Sequence, residues 1–444
     1  MCVTSISRDD RLYVRSSSAA DQRSQFQRDR DRILYSEAFR RLQGVTQVVS
    51  ADEGAIVHNR LTHSLKVGQV ARRIAEKLIG DDTIPKGHLV LLGGVDPDVC
   101  EAAGLAHDLG HPPFGHVAEE TLQQLTEDSG HFEGNAQTFR ILTKIEPHSE
   151  KYRGLNLTRA TLSAVTKYPR ARTGEGGVTH AKYGHYSQSE SEEFKFARSL
   201  FPSADSKKSL EAEIMDFADD VTFAIHDTED FYRAGLVPLQ ELGSESGSIT
   251  LETLRLVEDI KRRWDKQGVP SSFNDDHLEA LKKVLDLLSV PSSFSGHQQE
   301  RIEIKRASSG LISDWIQRGI KVNPTYAKGD RRVVFDEEIV LQIKMLKELV
   351  WTYVIDRPSL AFQQAGYHKI IRTLFHFFLK NLKREELRVI PLQFHGLFRN
   401  RDLGNESNHR IAADIICCLT DAQALSLYRR ITGSDPGGIL RGLI

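Results

Sequence analysis

The chain has 444 residues, of which 27% are charged and 39% hydrophobic, and its formal net charge is -2. This composition is ordinary for a globular protein, and a chain of this length can bury a sizeable core. The near-neutral balance argues against a protein whose main task is to coat nucleic acid, although it is compatible with a local basic site.

The N-terminal segment, residues 1–24, is predicted to be a polar arm without the apolar stretch of a secretory signal. No apolar run in the sequence approaches the roughly 20 residues that a membrane helix needs, so we expect a cytoplasmic protein with no membrane partner. The cysteines Cys2, Cys100, Cys417 and Cys418 form no C-x-x-C pair. We therefore expect reduced, structural thiols.

Apolar residues recur at helical spacing through most of the chain, and Gly80 is expected to end one of these helices. Strand-like alternation is scarce, and the best strand candidates are residues 331–336 and 388–394. The sequence therefore predicts an all-α (mainly α) protein with few short strands. The predicted helical windows are 25–43, 60–80, 98–110, 116–127, 134–146, 158–167, 209–233, 251–267, 276–289, 335–356, 366–382 and 408–432.

Three loops rich in glycine and serine interrupt the helical pattern, at residues 171–193, 240–250 and 289–300. Loops of this length in a compact fold are often lids or subunit contacts, or else disordered. The length of the chain suits two or three domains, or one large domain with insertions.

The densest group of coordinating side chains lies in residues 104–120, GLAHDLGHPPFGHVAEE. His107 and Asp108 are adjacent at the predicted end of a helix, which Gly110 and the Pro-Pro pair after it terminate. Neighbouring helical side chains diverge by about 100°, so these two can share one ion only near the helix end. Such a site requires further ligands from elsewhere in the chain.

Two other predicted helices supply candidates for those ligands. His63 lies in HNRLTHS, and Asp219 lies in EIMDFADDVTFAIHD, an apolar helix that repeatedly carries acids. Because a buried carboxylate needs a partner, acids on an apolar helix indicate a site. Two imidazoles and two carboxylates suit Mn, Mg, Ni, Co, Fe or Zn without selecting among them. Each residue taken singly also has an ordinary alternative role, as a core or surface histidine, a helix cap or a solvated acid.

The order of these residues resembles the H…HD…D arrangement of the HD-domain phosphohydrolases. Seven stretches are similar, in order, to the signature stretches of bacterial deoxyguanosine triphosphate triphosphohydrolases (dGTPases) and their dNTPase relatives. They are ILYSEAFRRLQGVTQV, HNRLTHSLKVGQVAR, AHDLGHPPFGHVAEE, FEGNAQTFRIL, AVTKYP, DFADDVTFAIHD and IAADIICCLTDAQA. The resemblance implies an HD-domain catalytic core over residues 25–240 and a mainly helical C-terminal region, 241–444, that packs on it.

The resemblance implies hydrolysis of a dNTP at the α-phosphorus, which yields a deoxynucleoside and inorganic triphosphate. It makes His63, His107, Asp108 and Asp219 the ligands of a divalent metal. A metal held there can polarise the α-phosphate and hold an attacking water.

Four further residues match catalytic positions of the family. His116 matches the catalytic histidine, and Glu119 matches the acid that orients it and raises its basicity. His116 would either position the water or protonate the leaving 5′-oxygen. His111 is expected to contact the α-phosphate, with capping of a broken helix end as the alternative. His131 resembles a second catalytic histidine of the animal branch and is a candidate for the leaving-group acid.

Seven residues are candidates for substrate contacts. Arg60 resembles the arginine on the α-phosphate, with an ordinary i,i+3 partner on an exposed helix as the alternative. Gln47 matches the residue that reads the sugar 3′-hydroxyl. The others are Asp227 near sugar and phosphates, Lys167 and Lys182 as triphosphate cations or surface lysines, Asn135 as a substrate contact or a turn residue, and Phe223.

The sequence departs from the family pattern in two places. Phe223 stands where the family commonly has tyrosine, so a hydroxyl contact to sugar or phosphate is lost and weaker sugar discrimination is expected. The stretch CCLTD replaces the usual AGMTD, and the bulkier Cys417 and Cys418 are expected to alter packing there.

Members of the family assemble as oligomers, so a homo-oligomer is expected, with a hexamer favoured. An allosteric dNTP and single-stranded DNA are further candidate ligands. One alternative is another HD-domain nucleotide phosphohydrolase, but such enzymes lack the FEGNAQ and TKYP stretches. A second is a nucleotide-regulated assembly that binds single-stranded nucleic acid, which would show salt-sensitive DNA binding and no turnover.

Overall fold

The computed structural model describes residues 6–13, 21–48, 57–173, 178–187, 189–202, 206–245, 248–268, 273–327, 330–396 and 407–435. Seventeen α-helices lie within these ranges. In chain order they are α1 (Gln25–Leu34), α2 (Glu37–Arg41), α3 (Arg60–Ile79), α4 (His88–Leu91), α5 (Pro97–Ala106), α6 (His116–Leu125), α7 (Gly134–Arg140), α8 (Arg159–Ala164), α9 (Ser191–Arg198), α10 (Leu210–Arg233), α11 (Leu251–Gln267), α12 (Asp275–Leu287), α13 (Gln298–Arg318), α14 (Glu337–Val350), α15 (Pro358–Lys383), α16 (Asn408–Cys417) and α17 (Asp421–Thr432).

Strands are few and short in the described part of the chain. They form two antiparallel pairs, β1 (Ser244–Glu245) with β2 (Ser248–Ile249), and β3 (Ile320–Val322) with β4 (Val333–Phe335). The prediction of an all-α fold with few short strands is confirmed. None of the described helices is long and apolar enough to cross a membrane.

Helices α3, α5 and α10 form the packed centre of the fold. The interface of α3 with α5 is tight because it is built around two glycines: a Cβ added to Gly104 would lie 2.6 Å from the Cα of Gly68. Any side chain at Gly104 would therefore push the two helices apart. Helix α10 packs against both with buried residues such as Ile214 and Val221. The three helices bring the elements that carry His63, His107 and Asp219 into contact.

Helix ends follow ordinary capping chemistry. Asn59 caps α3 by accepting a hydrogen bond from the backbone N–H of Thr62, and Gly80 ends the helix as predicted. Ser209 caps α10 in the same way, accepting from the N–H of Ala212. These caps fix where the helices begin, and so which residues face the centre.

The C-terminal helices α15, α16 and α17 pack on α6. Their shared apolar cluster joins Phe114 and Leu122 to Phe375, Phe378 and Ile411. Helix α6 carries His116, so the C-terminal region supports the helix of the candidate catalytic residues. The division of the chain at residues 240 and 241 remains a prediction, and apolar packing crosses it.

Several sequence-based boundaries differ from the structure. Residues 331–336 contain β4 as predicted, but the strand predicted at 388–394 is wrong. Two short 3₁₀-helices, Leu387–Val389 and Leu392–Phe394, occupy that region on either side of Pro391. A proline provides no backbone N–H for a strand ladder, which explains the difference.

Other differences concern helices. The predicted window 408–432 divides into α16 and α17, because Thr420 caps a new helix. Helix α13 was not predicted, and its buried side chains Ile304, Leu311 and Trp315 are separated by many polar residues. Helix α9 begins inside the loop predicted at 171–193.

The described part of the N-terminal arm is bound to the core. Arg8 Nη2 lies 2.5 Å from Glu211 Oε1, and Arg11 Nη1 lies 2.6 Å from Asp29 Oδ1. The rest of the arm, including Cys2, lies outside the described residues. So do parts of the predicted loops, at residues 174–177, 188 and 246–247.

Candidate metal and catalytic site

The four predicted metal ligands converge. His63 Nε2 lies 3.1 Å from Asp219 Oδ1, and His107 Nε2 lies 3.5 Å from the same oxygen and 3.4 Å from Asp108 Oδ1. One donor atom each from His63, His107 and Asp108 lies within 4.8 Å of the others. Side chains from α3, from the end of α5 and from α10 therefore face one point.

The residues at this point fit a divalent cation. His107 Nδ1 lies 2.7 Å from the carbonyl of Gly104, which fixes the tautomer with the proton on Nδ1. Its Nε2 is buried and has no hydrogen-bond partner among the described residues. A buried, unpartnered imidazole nitrogen beside carboxylate oxygens is a metal-ligand arrangement, and two imidazoles with two carboxylates suit a divalent ion.

In Asp108 and in Asp219, one carboxylate oxygen faces the centre and the other pairs with a positively charged side chain. Asp108 Oδ1 faces the histidines, whereas Asp108 Oδ2 lies 2.6 Å from Arg60 Nη1. Asp219 Oδ1 faces the histidines, whereas Asp219 Oδ2 lies 3.1 Å from Lys167 Nζ. The outer partners orient the carboxylates and keep them ionised.

The electrostatics of the centre favour positive charge. Burial acts to lower the pKa of His107, but the carboxylates of Asp108 and Asp219 outweigh it and raise this pKa to about 9. Burial also opposes ionisation of Asp108, yet His107 and Arg60 hold its pKa well below the ordinary value. The carboxylates that favour a proton on His107 would also favour a divalent ion, which would take the place of that proton.

His116 and Glu119 form a couple on the first turn of α6. His116 Nδ1 lies 3.0 Å from Glu119 Oε2, and the His116 side chain is 76% exposed, so Nε2 is open. Glu119 Oε1 accepts from the N–H of Gly134 at 3.2 Å and from Lys182 Nζ at 3.0 Å. Burial acts to raise the pKa of Glu119, but the His116 hydrogen bond and nearby positive charges lower it. An ionised Glu119 can orient the imidazole of His116.

His111 lies between the couple and the metal ligands. Its Nδ1 lies 3.1 Å from Asp108 Oδ1, and its Nε2 lies 3.9 Å from Glu119 Oε2. Burial and the charge of Arg60 lower the pKa of His111, which keeps the imidazole neutral at pH 7. His111, His116 and Glu119 offer donor atoms within 4.8 Å of one another.

The backbone between His107 and His116 is held by residues that sequence reasoning missed. Arg41 Nη2 donates to the carbonyls of Leu109 and His111, each at 2.8 Å. Asp421 Oδ1 accepts at 2.8 Å from the N–H of Phe114. Phe114 and Gly115 have φ values of 66° and 63°, so the chain reverses sharply before α6. The only sequence signal for Arg41 and Asp421 was their place in the signature stretches.

Two substrate candidates lie beside this turn. Arg60 is buried, so it is not a residue of an exposed helix face, and besides Asp108 its Nε donates to the Thr46 carbonyl at 2.9 Å. Its Nη2 would lie 3.0 Å from a Cβ at Gly115. Gln47 Oε1 is buried without a hydrogen-bond partner among the described residues, which leaves an acceptor available.

The cationic and amide candidates are anchored by acids. Lys167 lies 2.7 Å from Asp216 Oδ1 in addition to Asp219. Burial acts to lower the pKa of Lys167, but these carboxylates raise it well above the ordinary value, so the ammonium stays charged. Lys182 lies 3.3 Å from Glu133 Oε1, and Asn135 Nδ2 donates to Glu133 Oε1 at 2.8 Å.

Phe223 and Asp227 lie on the face of α10 that carries Asp219. Phe223 is half-buried, with Lys347 Nζ 5.7 Å from its ring centroid, and Lys347 also pairs with Asp220 at 2.5 Å. Asp227 is buried, and its Oδ2 has no partner among the described residues. Burial, with the charges of Asp230 and Asp219, raises the pKa of Asp227 well above the ordinary value.

His131 has left-handed backbone geometry, with φ 56°, and its carbonyl accepts from Arg410 Nη2 at 2.5 Å. Its Nδ1 is buried without a partner among the described residues. Burial and Arg172 lower its pKa, which leaves a neutral imidazole. Among the described residues, the hydrogen bonds of His131 join it to Arg410 and not to the metal ligands.

A polar cluster near the start of α3 was also missed. Lys66 Nζ contacts His58 Nε2 and lies 3.2 Å from His226 Nδ1, and His58 Nδ1 contacts Asp230. Burial and the charge of Lys66 lower the pKa of His226 to about 2. His58 is the first residue of the HNRLTHS motif and Lys66 lies two residues after its end, and this position is the one signal that could have identified them.

Comparison with known proteins places the same regions in two known families. The HD domain family matches residues 60–224, and the phosphohydrolase-associated domain family matches residues 333–430. The first match spans all four converging ligands, and the second includes β4 and α14 to α16.

Full-length relatives are similar over most of their length. A deoxyguanosinetriphosphate triphosphohydrolase-like protein of Corynebacterium diphtheriae is 37% identical over 352 residues, which is 76% of each chain. One of Streptomyces coelicolor is 36% identical over 430 residues, 93% of each chain. One of Shewanella sp. (strain MR-4) is 30% identical over 456 residues, 94% of each chain.

Proposed function

The chain belongs to the HD-domain family of deoxyguanosinetriphosphate triphosphohydrolase-like proteins and is a phosphohydrolase, and from this premise we propose that it is a metal-dependent dNTP triphosphohydrolase. The proposed reaction converts dGTP or another dNTP to the deoxynucleoside and inorganic triphosphate. One observation carries the proposal: His63, His107, Asp108 and Asp219 face one point, with the His116–Glu119 couple beside it.

The four ligands would hold the divalent ion. A bound ion supplies Lewis acidity at the α-phosphate and lowers the pKa of water next to it. Arg60 and Lys167 keep Asp108 and Asp219 ionised and oriented, which prepares the centre before substrate arrives.

His116 is the proposed proton carrier. Its open Nε2 can accept a proton from the attacking water or donate one to the leaving 5′-oxygen, while Nδ1 is fixed by Glu119. Glu119 is ionised and buried, so it stabilises the protonated imidazole as it forms. The positive charge of Lys182 on the other Glu119 oxygen limits how basic the couple becomes.

His111 is proposed to contact the α-phosphate, since it is neutral, buried and placed between Asp108 and Glu119. Gln47 and Asp227 each have a buried oxygen without a described partner, and we assign them to the sugar. Arg60, Lys167 and Lys182 are proposed to face the phosphates, and Asn135 the substrate beside Lys182. His131 is a candidate leaving-group acid, and Phe223 packs against the sugar without a hydroxyl contact.

The test is analysis of products. Purified protein is incubated with each dNTP, singly and mixed, under Mn²⁺ or Mg²⁺, and products are separated by ion exchange and identified by ³¹P NMR. The proposal predicts inorganic triphosphate and deoxynucleoside in equal amounts. Phosphate or pyrophosphate as the sole inorganic product would instead identify a different HD-domain phosphohydrolase.

We further propose that the protein is a homo-oligomer, with a hexamer favoured, on the basis of the family resemblance. Large apolar side chains exposed on the single chain support an assembly, for example Phe362 on α15, which is 82% exposed. Light scattering after size exclusion tests this, and a monomer at all concentrations would contradict it. The same sample, with and without each dNTP or single-stranded DNA, shows whether these ligands change the assembly.

A further inference from the structure

A polar cavity of about 140 Å³ lies next to the segment that carries Lys182. We call it the arginine cavity. None of the described residues that form its wall is an aspartate or a glutamate. They are Ser129, Gly130, Arg172, Thr173, Tyr183, His185, Tyr186, Ser187, Ser189, Ser407 and Arg410.

Arg410 is a buried cation of this wall without an acidic partner among the described residues. Its side chain is 5% exposed, and its guanidinium carbon lies 3.5 Å from the ring centroid of Tyr186. Nη2 donates to the His131 carbonyl, whereas Nη1 is buried and has no hydrogen-bond partner among the described residues. The charge of Glu190 acts on Arg410, but Glu190 is paired with Arg140 and forms no ion pair with Arg410. A buried guanidinium without a bonded carboxylate is costly, so a ligand with negative charge is expected here.

Arg172 provides a second positive charge. It is half-buried, and no described residue forms an ion pair with its guanidinium. Its charge acts on His131 and Tyr183, so it lies near both residues. Two guanidinium groups on one small cavity repel each other unless an anion lies between them.

The remaining wall offers neutral hydrogen-bond donors. Hydroxyl groups of Ser129, Ser187 and Ser407 surround the cavity, and each can donate to an oxyanion. His185 Nδ1 is buried without a partner among the described residues. Burial lowers the pKa of His185 to about 4, so this ring is neutral at pH 7 and can donate from one nitrogen only.

We infer that the arginine cavity is a binding site for a phosphate group, separate from the four converging metal ligands. Guanidinium groups match the geometry of phosphate oxygens, and charge-assisted hydrogen bonds of this kind are among the stronger ones in proteins. The volume accommodates a phosphate with some water but is well below the roughly 300 Å³ at which pockets for larger organic ligands begin. The ligand is therefore free inorganic phosphate, or the terminal group of a longer phosphate chain.

The cavity adjoins the candidate active site through two short connections. Tyr183 of its wall follows Lys182, which pairs with Glu119. Arg410 of its wall holds the carbonyl of His131. A phosphate in the cavity would therefore fix the segments that carry two proposed substrate and catalytic residues.

The inference does not depend on the proposed function, and its test is done without metal or turnover. Isothermal titration calorimetry measures binding of inorganic phosphate to the full chain in a chelator, for wild type, Arg172→Gln and Arg410→Lys. Far-UV circular dichroism confirms that each variant is folded. Arg170→Gln is the matched control, because Arg170 is an exposed arginine near the same segment that is not part of the cavity wall.

We expect saturable phosphate binding by wild type, with affinity reduced about tenfold or more in Arg172→Gln and in Arg410→Lys, and unchanged in Arg170→Gln. If Arg410→Lys fails to fold, the affinity of Arg172→Gln for phosphate alone tests the inference. Equal competition by pyrophosphate and triphosphate, with none by a deoxynucleoside monophosphate, identifies a free or terminal phosphate as the ligand. Competition by the monophosphate as well identifies the phosphate of a nucleotide.

Two results would overturn the inference. One is the absence of saturable binding at phosphate concentrations up to about 10 mM, a range that would reveal even a weak site. The other is binding that Arg60→Gln abolishes while Arg172→Gln leaves it intact, which would place the anion among the metal ligands.

Discussion

Two polar centres in the described part of the structure, the metal ligands and the arginine cavity, have opposite electrostatic balance. At the metal ligands, one oxygen each of Asp108 and Asp219 faces the centre while the other pairs with Arg60 or Lys167, and the two carboxylates raise the pKa of His107. At the arginine cavity, Arg172 and Arg410 have no acidic partner among the described residues. We expect the first centre to bind a cation and the second to bind an anion.

A buried arginine that belongs to a structural ion pair differs from Arg410 in its partners. Arg140 is fully buried like Arg410, but it is paired with Glu190 at 2.8 Å and with Asp414 at 2.7 Å. The positive charge of Arg140 is therefore balanced by carboxylates of the protein itself. A buried polar group indicates a ligand only where the protein leaves it without a partner, and among the described residues His107 Nε2 at the first centre and Arg410 Nη1 at the second meet this criterion.

The largest effect is expected at the cationic centre. Asp219→Ala removes an oxygen that faces both His63 and His107, so metal content and turnover should fall below detection while helicity is unchanged. Inductively coupled plasma mass spectrometry measures metal content, a product assay measures turnover, and circular dichroism measures helicity. Asp216→Asn is the control one turn earlier on α10, and it should keep the metal. Full metal content in Asp219→Ala would remove this residue from the ligand set.

His116→Ala should separate metal binding from catalysis. The variant keeps all four ligands, so metal content should be normal, whereas kcat should fall by about 10²- to 10⁴-fold, the usual contribution of a positioned acid or base. Glu120→Ala changes an exposed neighbour on the same helix and should be unaffected. If His116→Ala retains full kcat, the catalytic assignment is wrong.

Replacing a paired arginine should destabilise the protein more than replacing an arginine without an ion pair. Arg140→Met leaves Glu190 and Asp414 buried and unpaired, so the free energy of unfolding should fall by about 3–5 kcal/mol. Arg172→Gln breaks no ion pair among the described residues and should change it by roughly 0.5 kcal/mol or less. Urea denaturation measures both. Equal losses would mean that Arg172 is a structural residue.

The smallest effect concerns pH. The pKa of His185 falls from 6.5 to about 4 on folding because of burial, so between these values only the unfolded chain binds the proton. Stability is therefore complete above about pH 6.5 and declines towards pH 4, by on the order of 1–3 kcal/mol. His185→Asn should lessen this decline between pH 7 and 4.5, whereas His180→Asn should not. An unchanged decline in His185→Asn would show that His185 is not the group responsible.

Much of the fold could be predicted from sequence because it depends on local signals, and the four candidate metal ligands were predicted from the resemblance of ordered stretches to a known family. Helical spacing, caps such as Gly80, and the adjacent pair His107–Asp108 are readable within short windows. The HD family match and the full-length relatives confirm the family that these windows indicated.

What sequence could not provide depends on contacts between distant segments. Arg172 and Arg410 are unremarkable singly, and only the fold places them on one cavity whose described wall residues include no acid. Arg41 likewise could not be assigned, since its partners are backbone carbonyls of a turn far along the chain. The failed strand at 388–394 shows the opposite case, in which Pro391 was a local signal that outweighed apolar composition.

The most direct test of the central claim is a crystal structure of the Mn²⁺-loaded protein with diffraction data at the manganese edge. We predict one strong anomalous peak within roughly 2.0–2.4 Å of His63 Nε2, His107 Nε2, and one oxygen each of Asp108 and Asp219. A peak elsewhere, or no peak between these four side chains, would contradict a metal site formed by these residues.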